Sequence, residues 1–466
     1  MQHRMYPFHS FCLTLALIVP VAASAEPPAN PTPPETQPVL HEIVDAVQPA
    51  NLQQSLTKLV GFGTRHSLSE TKSDTHGIGA ARRWVKQQFE AISRQCGGCL
   101  EVKMLRRHFK GRRAPKGVEI VDVVAIQRGA HDPNRHIIMT AHLDNRVSDI
   151  MNTTSFAPGA DDDGSGIAAM LEVARILSHY KFNASIVYSA DSGEEQGLYG
   201  GRIIADYASA QGWDVEANLN NDMIGNAHGS DGIVDTTTGR IFSEAVKSRL
   251  SENDLDTLRY TGGFVDSPSR NVARYITRLA DTYIPNFHLM LMYRQDRFHR
   301  GGDQIAFNRN GFPAVRLNEA HENWRHQHQD VRKEKGVQYG DLVKFVSIPF
   351  LANMTAANAI AIASMAWAPA PPANVSIKGG LSPDTTLSWS AADQDNAPNL
   401  AGYKIYWRRT AAPMWQESRW VGKTIRYTLN NLVIDNWYFG VASVSADGFE
   451  SPVVFPGVGG AFKPAP

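Results

Sequence analysis

The chain has 466 residues, room for a large catalytic domain and at least one smaller one. Lys plus Arg and Asp plus Glu each number 46, so the formal net charge is zero. With no long basic run, this excludes a chain that grips nucleic acid or an anionic membrane by bulk charge. At the N-terminus His3 and Arg4 precede an apolar stretch from Phe11 to Val21, and Ala23-Ser24-Ala25 offers a small-residue cleavage site. That pattern predicts a secretory signal over 1–25, with export to a periplasm or the medium. The apolar run is shorter than the roughly 20 residues a spanning helix needs, and Pro20 interrupts it. Cys12 would leave with the signal. Residues 26–38 are proline-rich and read as an extended spacer.

The next elements alternate. Ile78, Ala81, Val85, Phe89 and Ile92 recur at helical spacing, with Ser73 and Asp74 as capping candidates just upstream. Cys96-Gly97-Gly98-Cys99 follows this helix; in an exported chain the pair reads as a small disulfide clip. Val118–Ile126 and Ile137–Ala141 are β-branched runs. Ile167, Met170, Leu171, Ala174 and Leu177 form another helical face, and Ile186–Tyr188 another buried strand. Strands alternating with helices predict an α/β domain over 39–367, with a mainly parallel mixed sheet covered by helices on both faces. In such folds the site lies beyond the carboxyl ends of the strands.

Ala368-Pro369-Ala370-Pro371-Pro372 marks a junction. Beyond it, in 368–466, Leu387-Ser388-Trp389, Tyr403–Trp407 and Trp437–Val441 are short aromatic and β-branched runs between turns, which predict a small all-β sandwich. The tail resembles a fibronectin type III module, with Trp389 at the core tryptophan position and Leu432 with Tyr438 at the tyrosine corner. These are packing positions and say little of function.

Five short segments carry the chemistry. His142 and Asp144 follow a strand; an imidazole ligand usually gives its second N–H to a carboxylate or carbonyl, a job for which Asp144 is placed. Asp161, Asp162 and Asp163 sit in a turn between Pro158-Gly159 and Gly164-Ser165-Gly166, where three carboxylates repel one another unless a cation is present. Glu194 and Glu195 lie between a strand and a helix, where one acid can bind metal while its neighbour handles a proton. Asp222 lies near another strand end. His326 and His328 stand in a polar stretch with His321 and Asp330. Each segment alone is an ordinary polar surface; in series they offer the imidazoles and carboxylates that catalytic zinc takes.

Together, Ala141-His142-Leu143-Asp144, Pro158–Gly166, Gly193–Gly200 and Asn310–Arg316 resemble the zinc aminopeptidases of the bacterial leucyl aminopeptidase type, over roughly residues 40 to 366. The resemblance implies a zinc exopeptidase-like fold and two zinc ions per chain. It assigns His142 to one zinc with Asp144 orienting it, Asp162 to the bridge, Glu195 to the first zinc, and Asp222 with His326 to the second. His326 has the family spacing to Asp330, and His328 competes for the place. Glu194 is the implied general base, acting on a water shared by the two ions. Where relatives place a histidine after Asp303, this chain has Gln304. The implied activity is removal of N-terminal residues from peptides or proteins, with the β module as a surface or polymer contact. Rival readings are a dizinc carboxypeptidase or dipeptidase, a mono-zinc glutaminyl cyclase, and a decayed peptidase kept as a binding module.

Overall fold

A computed structural model describes residues 31–248, 250–391 and 399–462. The expected signal, Cys12 and residues 26–30 of the spacer lie outside them. The strands of the main sheet are β1 (Leu100–Gly111), β2 (Ala114–Gln127), β3 (Asp132–His142), β4 (Ala184–Asp191), β5 (Asp214–Asn221), β6 (Thr238–Ser243), β7 (His288–Met292) and β8 (Ala314–Glu319). Their order is β1-β2-β4-β3-β5-β8-β6-β7. The block β4-β3-β5-β8 is parallel, as expected. The edges are not: β1 and β2 form a long hairpin, β2 runs antiparallel to β4, and β6 antiparallel to β8.

Among the described residues the helices are α1 (Pro38–Asp45), α2 (Pro49–Val60), α3 (Gly77–Gln95), α4 (Gly164–Leu177), α5 (Glu194–Gly197), α6 (Tyr199–Ala210), α7 (Glu252–Thr261), α8 (Pro268–Tyr283), α9 (Gln304–Arg309) and α10 (Ile348–Trp367). They cover both faces because the strand side chains alternate. Ile137, Met139 and Ala141 of β3 join one core with α4 and α10. Ile138 between them joins a second core with Ile204 and Ala208 of α6 and Phe307 of α9. Helix α10 alone among the described residues is long and apolar enough to cross a membrane, yet it is largely buried at the centre of this core.

Two local expectations change. Residue 77, not Asp74, opens α3: Ser73 Oγ accepts from the Thr75 and His76 amides in a turn ahead of the helix, which starts without a side-chain cap. The end of the expected spacer is packed rather than loose. Gln37 is buried, its amide N–H donates to Tyr283 Oη at 2.9 Å and its side chain to Gly448 O at 3.1 Å. Cys96 and Cys99 are joined in a disulfide just past α3.

Strands β9 (Arg332–Glu334) and β10 (Val337–Tyr339) form a small hairpin. After α10 come β11 (Ala373–Lys378), β12 (Thr385–Ser390), β13 (Leu400–Arg409), β14 (Glu417–Gly422), β15 (Arg426–Leu429) and β16 (Trp437–Ser445). They make two antiparallel sheets, β11-β12-β15 and β14-β13-β16. Trp389 meets Tyr403 edge to face at 5.3 Å across them. Tyr438 lies beneath the Arg408 guanidinium and beside Phe455.

These sheets share their core with the α/β part, since Leu387, Tyr403, Ile405 and Phe439 belong to the same buried cluster as α10. Buried charge joins them too. Asp266 accepts from Arg274 of α8 at 2.8 Å and from Arg408 of β13 at 2.7 Å, all three side chains being at most 1% exposed. Arg274 also donates to Pro413 O at 2.6 Å, and Tyr275 to Glu450 O at 2.9 Å.

Candidate metal centre

The expected residues converge at the carboxyl ends of the parallel strands. His142 is the last residue of β3, Asp222 follows β5, and the Glu194–Glu195 turn begins three residues after β4 ends. Asp162 lies between β3 and α4. Its Oδ1 is 3.1 Å from His142 Nε2, which stands 3.8 Å from Asp222 Oδ1. Its Oδ2 is 2.9 Å from His328 Nε2, which lies 3.0 Å from Glu195 Oε1. His142, Asp162 and Asp222 thus form one potential ligand group, and Asp162, Glu195 and His328 a second.

This geometry corrects two assignments. His326 is not with the ligands: its ring stacks on Phe345 at 3.8 Å, and it belongs to neither ligand group. The backbone turns between them. His328 has φ +56°, and Gln327, the residue between, donates to Asp162 Oδ2 at 3.1 Å. Spacing to Asp330 does not register such a turn. The ligand partition also differs, because Asp222 accompanies His142 whereas Glu195 accompanies the second histidine.

The three adjacent aspartates divide their work. Only Asp162 enters the ligand groups. Asp163 caps α4 by accepting from Gly166 N at 3.0 Å, and its other oxygen accepts from the His142 amide at 2.9 Å, so one carboxylate fixes both a helix start and a strand end. Asp161 accepts from Gly225 N at 2.7 Å. The Asp162–Asp163 peptide bond is cis.

Asp144 acts differently from the expected orienting carboxylate. His142 Nδ1 is 3.0 Å from the Asp144 backbone carbonyl and 3.7 Å from its carboxylate. The carboxylate instead accepts from the amides of Glu194 and Glu195, each at 3.2 Å, and from Ser67 Oγ at 2.9 Å. It therefore holds the turn that presents both glutamates. That turn needs Gly193, whose φ is +77°; a Cβ there would meet Ile120 Cδ1 at 2.8 Å.

Residues not singled out in the sequence complete the frame. Arg65, fully buried, donates to Leu143 O at 2.8 Å and to Pro158 O and Gly159 O at 2.7 Å each, tying the His142 loop to the aspartate turn. Asp341 accepts from the amides of Asp161 and Asp162. Arg316 holds Asp222 Oδ1 at 2.9 Å, and Arg146 holds Glu195 Oε2 at 2.8 Å. Apart from Asp341, these are isolated cations in loops or strands, with no sequence pattern to mark them. Gln304 is buried and spoken for, donating to Asp296 at 2.7 Å and accepting from Asn220 at 3.1 Å.

The donor set fits zinc. Nitrogen and carboxylate oxygen are the atoms it takes. Glu195 Oε1 is buried and accepts no hydrogen bond, although a ligand nitrogen stands 3.0 Å away. The electrostatics ask for positive charge. Burial disfavours both imidazolium ions, yet the carboxylates around them raise His142 well above the usual range and His328 to about 9. Burial likewise raises Asp162, but His328 and His142 hold its carboxyl well below the usual range. Glu194 has no such partner in excess: burial, with Asp222 and Glu195 nearby, pushes it well above the usual range despite His142. Half-buried, Glu194 lines a cleft of about 320 Å³ together with Asp162, Glu195, Asp222 and His328.

The pattern of peptidase family M28 matches residues 122–344. A probable zinc metalloprotease of Pyrenophora teres f. teres is 38% identical over 468 residues, covering 96% of each chain. Another, of Leptosphaeria maculans, is 39% identical over 420 residues, covering 90% of this chain and 96% of that one. In fold, the chain is similar to LapB from Legionella pneumophila (20% identity, 71% of this chain and 75% of that one, TM-score 0.51). It is likewise similar to the LapA aminopeptidase of the same organism (19% identity, 72% and 77%, TM-score 0.51). The chain belongs to peptidase family M28 and is a zinc metallopeptidase.

Proposed function

We propose that the protein is an exported aminopeptidase with two zinc ions, one held by His142, Asp162 and Asp222 and the other by Asp162, Glu195 and His328. The observation that carries this reading is Asp162, which turns one oxygen toward each group and so suits a bridge. Zinc bound there would supply Lewis acidity to the scissile carbonyl and make a water acidic enough to lose a proton near neutral pH.

The chain's own residues then have these tasks. Glu194 takes the proton of the attacking water and returns it to the departing amine; its raised pKa suits both halves of that exchange. Asp144 keeps Glu194 at the cleft through its hold on the turn amides. Arg316 and Arg146 steady Asp222 and Glu195 by charge-assisted hydrogen bonds. The C-terminal sheets serve as a surface or polymer contact.

The test is metal content of the purified chain together with hydrolysis of amino-acyl anilides and amino-blocked peptides, with and without chelator. Two zinc ions per chain and chelator-sensitive cleavage of unblocked substrates are expected. Preferential cleavage of the blocked peptides would refute the aminopeptidase assignment, and one zinc per chain would refute the bridge.

A further inference from the structure

The walls of the cleft carry a different message from its floor. Arg113, Arg146, Arg297 and Arg300 line it, while its carboxylates are Asp162, Glu194, Glu195 and Asp222. All four acids are engaged by the reading above, as ligands or base. The arginines come from three separate places. Arg113 sits in the two-residue turn of the β1–β2 hairpin and reaches over to donate to Glu195 O at 2.6 Å. Arg146 follows β3 and is committed to Glu195 and to His328 Nδ1 at 2.6 Å. Arg297 and Arg300 lie in the loop after β7 and share Glu322, at 3.3 and 2.8 Å, with Arg240 as a third claimant at 2.7 Å.

The charge on these walls is only partly cancelled locally, since Arg297 also pairs with Asp296 at 3.2 Å. Among the described residues Arg113 forms an ion pair with no carboxylate, and Glu322 answers three guanidinium groups. Once cations neutralise the ligand carboxylates, the cleft is strongly positive in a protein whose formal net charge is zero. A carboxylate would be drawn in, and a guanidinium presents two parallel N–H groups to it.

We propose that the cleft selects substrates bearing a carboxylate beside the scissile peptide bond, received by Arg113 and Arg300 with Arg297 behind them. This rests on the metallohydrolase reading of the floor and adds the substrate class. The carboxylate has two possible sources, an acidic side chain or the free chain terminus of a short peptide. The chemistry of recognition is the same for both.

The experiment uses the full chain loaded with zinc. Four dipeptide substrates are compared: Ala-Ala, Ala-Ala-amide, Ala-Glu-amide and Glu-Ala-amide. At least one carboxylate-bearing substrate should exceed Ala-Ala-amide by about tenfold or more in kcat/KM, chiefly through KM, the scale of a lost charge-assisted hydrogen bond. A preference for Ala-Ala assigns the chain terminus, and a preference for either glutamyl amide assigns the side chain. The Arg113→Gln/Arg300→Gln double variant should lose about tenfold or more of that preference. Calorimetric binding of N-acetyl-glutamate and N-acetyl-glutamine amide, on wild type and the double variant, separates recognition from catalysis. If no peptide is cleaved but the acid binds more tightly and loses that advantage in the variant, the hydrolytic reading fails and the anion selectivity stands. Equal preference for the neutral amide, or a preference untouched by removing both arginines, overturns the proposal.

Discussion

Asp162 Oδ2 and His328 Nε2 lie 2.9 Å apart, and the neighbouring histidine, His326, stacks its ring on Phe345 instead. This pair of adjacent fates yields a direct prediction. His328→Ala should weaken zinc retention by more than the ten- to hundredfold typical of losing an outer hydrogen-bond partner. His326→Ala should keep its metal. Zinc content after dialysis against a graded chelator series distinguishes them, and the reverse ranking would reinstate His326 as the ligand.

Glu194 lines the same cleft without belonging to either ligand group. Glu194→Gln preserves size and should preserve zinc content while turnover falls by about 10² to 10⁴, the range for a general base. Single-turnover kinetics beside metal analysis would show it. A metal-replete Gln variant with near-normal turnover contradicts the role.

Asp144 accepts two amides of the glutamate turn. Asp144→Ala leaves both donors without their acceptor, so the turn should shift and kcat should drop by about 10- to 100-fold. The two amides bond to different oxygens of Asp144, so Asp144→Asn keeps an acceptor for one only and should recover only part of that loss. Full recovery by Asn would contradict the two-amide anchoring.

Asp266 stands between Arg274 and Arg408, with all three buried. Asp266→Ala strands two guanidinium groups away from water, which should cost about 3–5 kcal/mol of stability. Because this network and the buried cluster around Leu387 and Tyr403 join the C-terminal sheets to the α/β part, truncation after Pro369 should give insoluble or unfolded protein rather than an active core. Thermal melts of the substitution and solubility of the truncation are the measurements. A truncated chain that melts like the full one would show the sheets to be an independent appendage.

His136 is 4% exposed, its ring stacked on Trp213 at 4.0 Å, and burial lowers its pKa from 6.5 to about 4, outweighing its bond to Asn134 O. The folded state thus resists a proton that the unfolded chain accepts. Its contribution is fully present above about pH 6.5 and is lost as pH falls toward 4, by up to about 3 kcal/mol. Denaturant unfolding between pH 7 and 4 should show a shallower acid loss for His136→Phe than for wild type. Parallel profiles would exclude this histidine as a source of acid lability.

Much of this was legible before any coordinates. The parallel block and α4 follow from apolar periodicity, and acids clustered at strand ends mark the segments of His142, Asp161–Asp163 and Glu194–Glu195; the choice of Asp162 among its neighbours is what the family resemblance implies. The antiparallel edge was not, because the β1 segment (Leu100–Gly111) alternates too weakly in its burial to advertise a long hairpin. The choice between two histidines two residues apart depended on one left-handed residue. The role of Asp144 depended on which of its atoms faces the ring. The arginine walls were invisible for a simpler reason: Arg113, Arg146, Arg297 and Arg300 are scattered along the chain, and only the fold brings them to one opening.

Helix α10 carries a liability that matters before the native state exists. Its twenty residues, whose most apolar eighteen have mean hydropathy 1.4, would extend about 30 Å, the thickness of a hydrocarbon layer. In a nascent or partly unfolded chain this segment exposes a membrane-length apolar surface until its eventual neighbours cover it. Because α4 and α2 cover it in the folded chain, substitutions that loosen that packing are expected to lower the yield of soluble protein before they weaken catalysis.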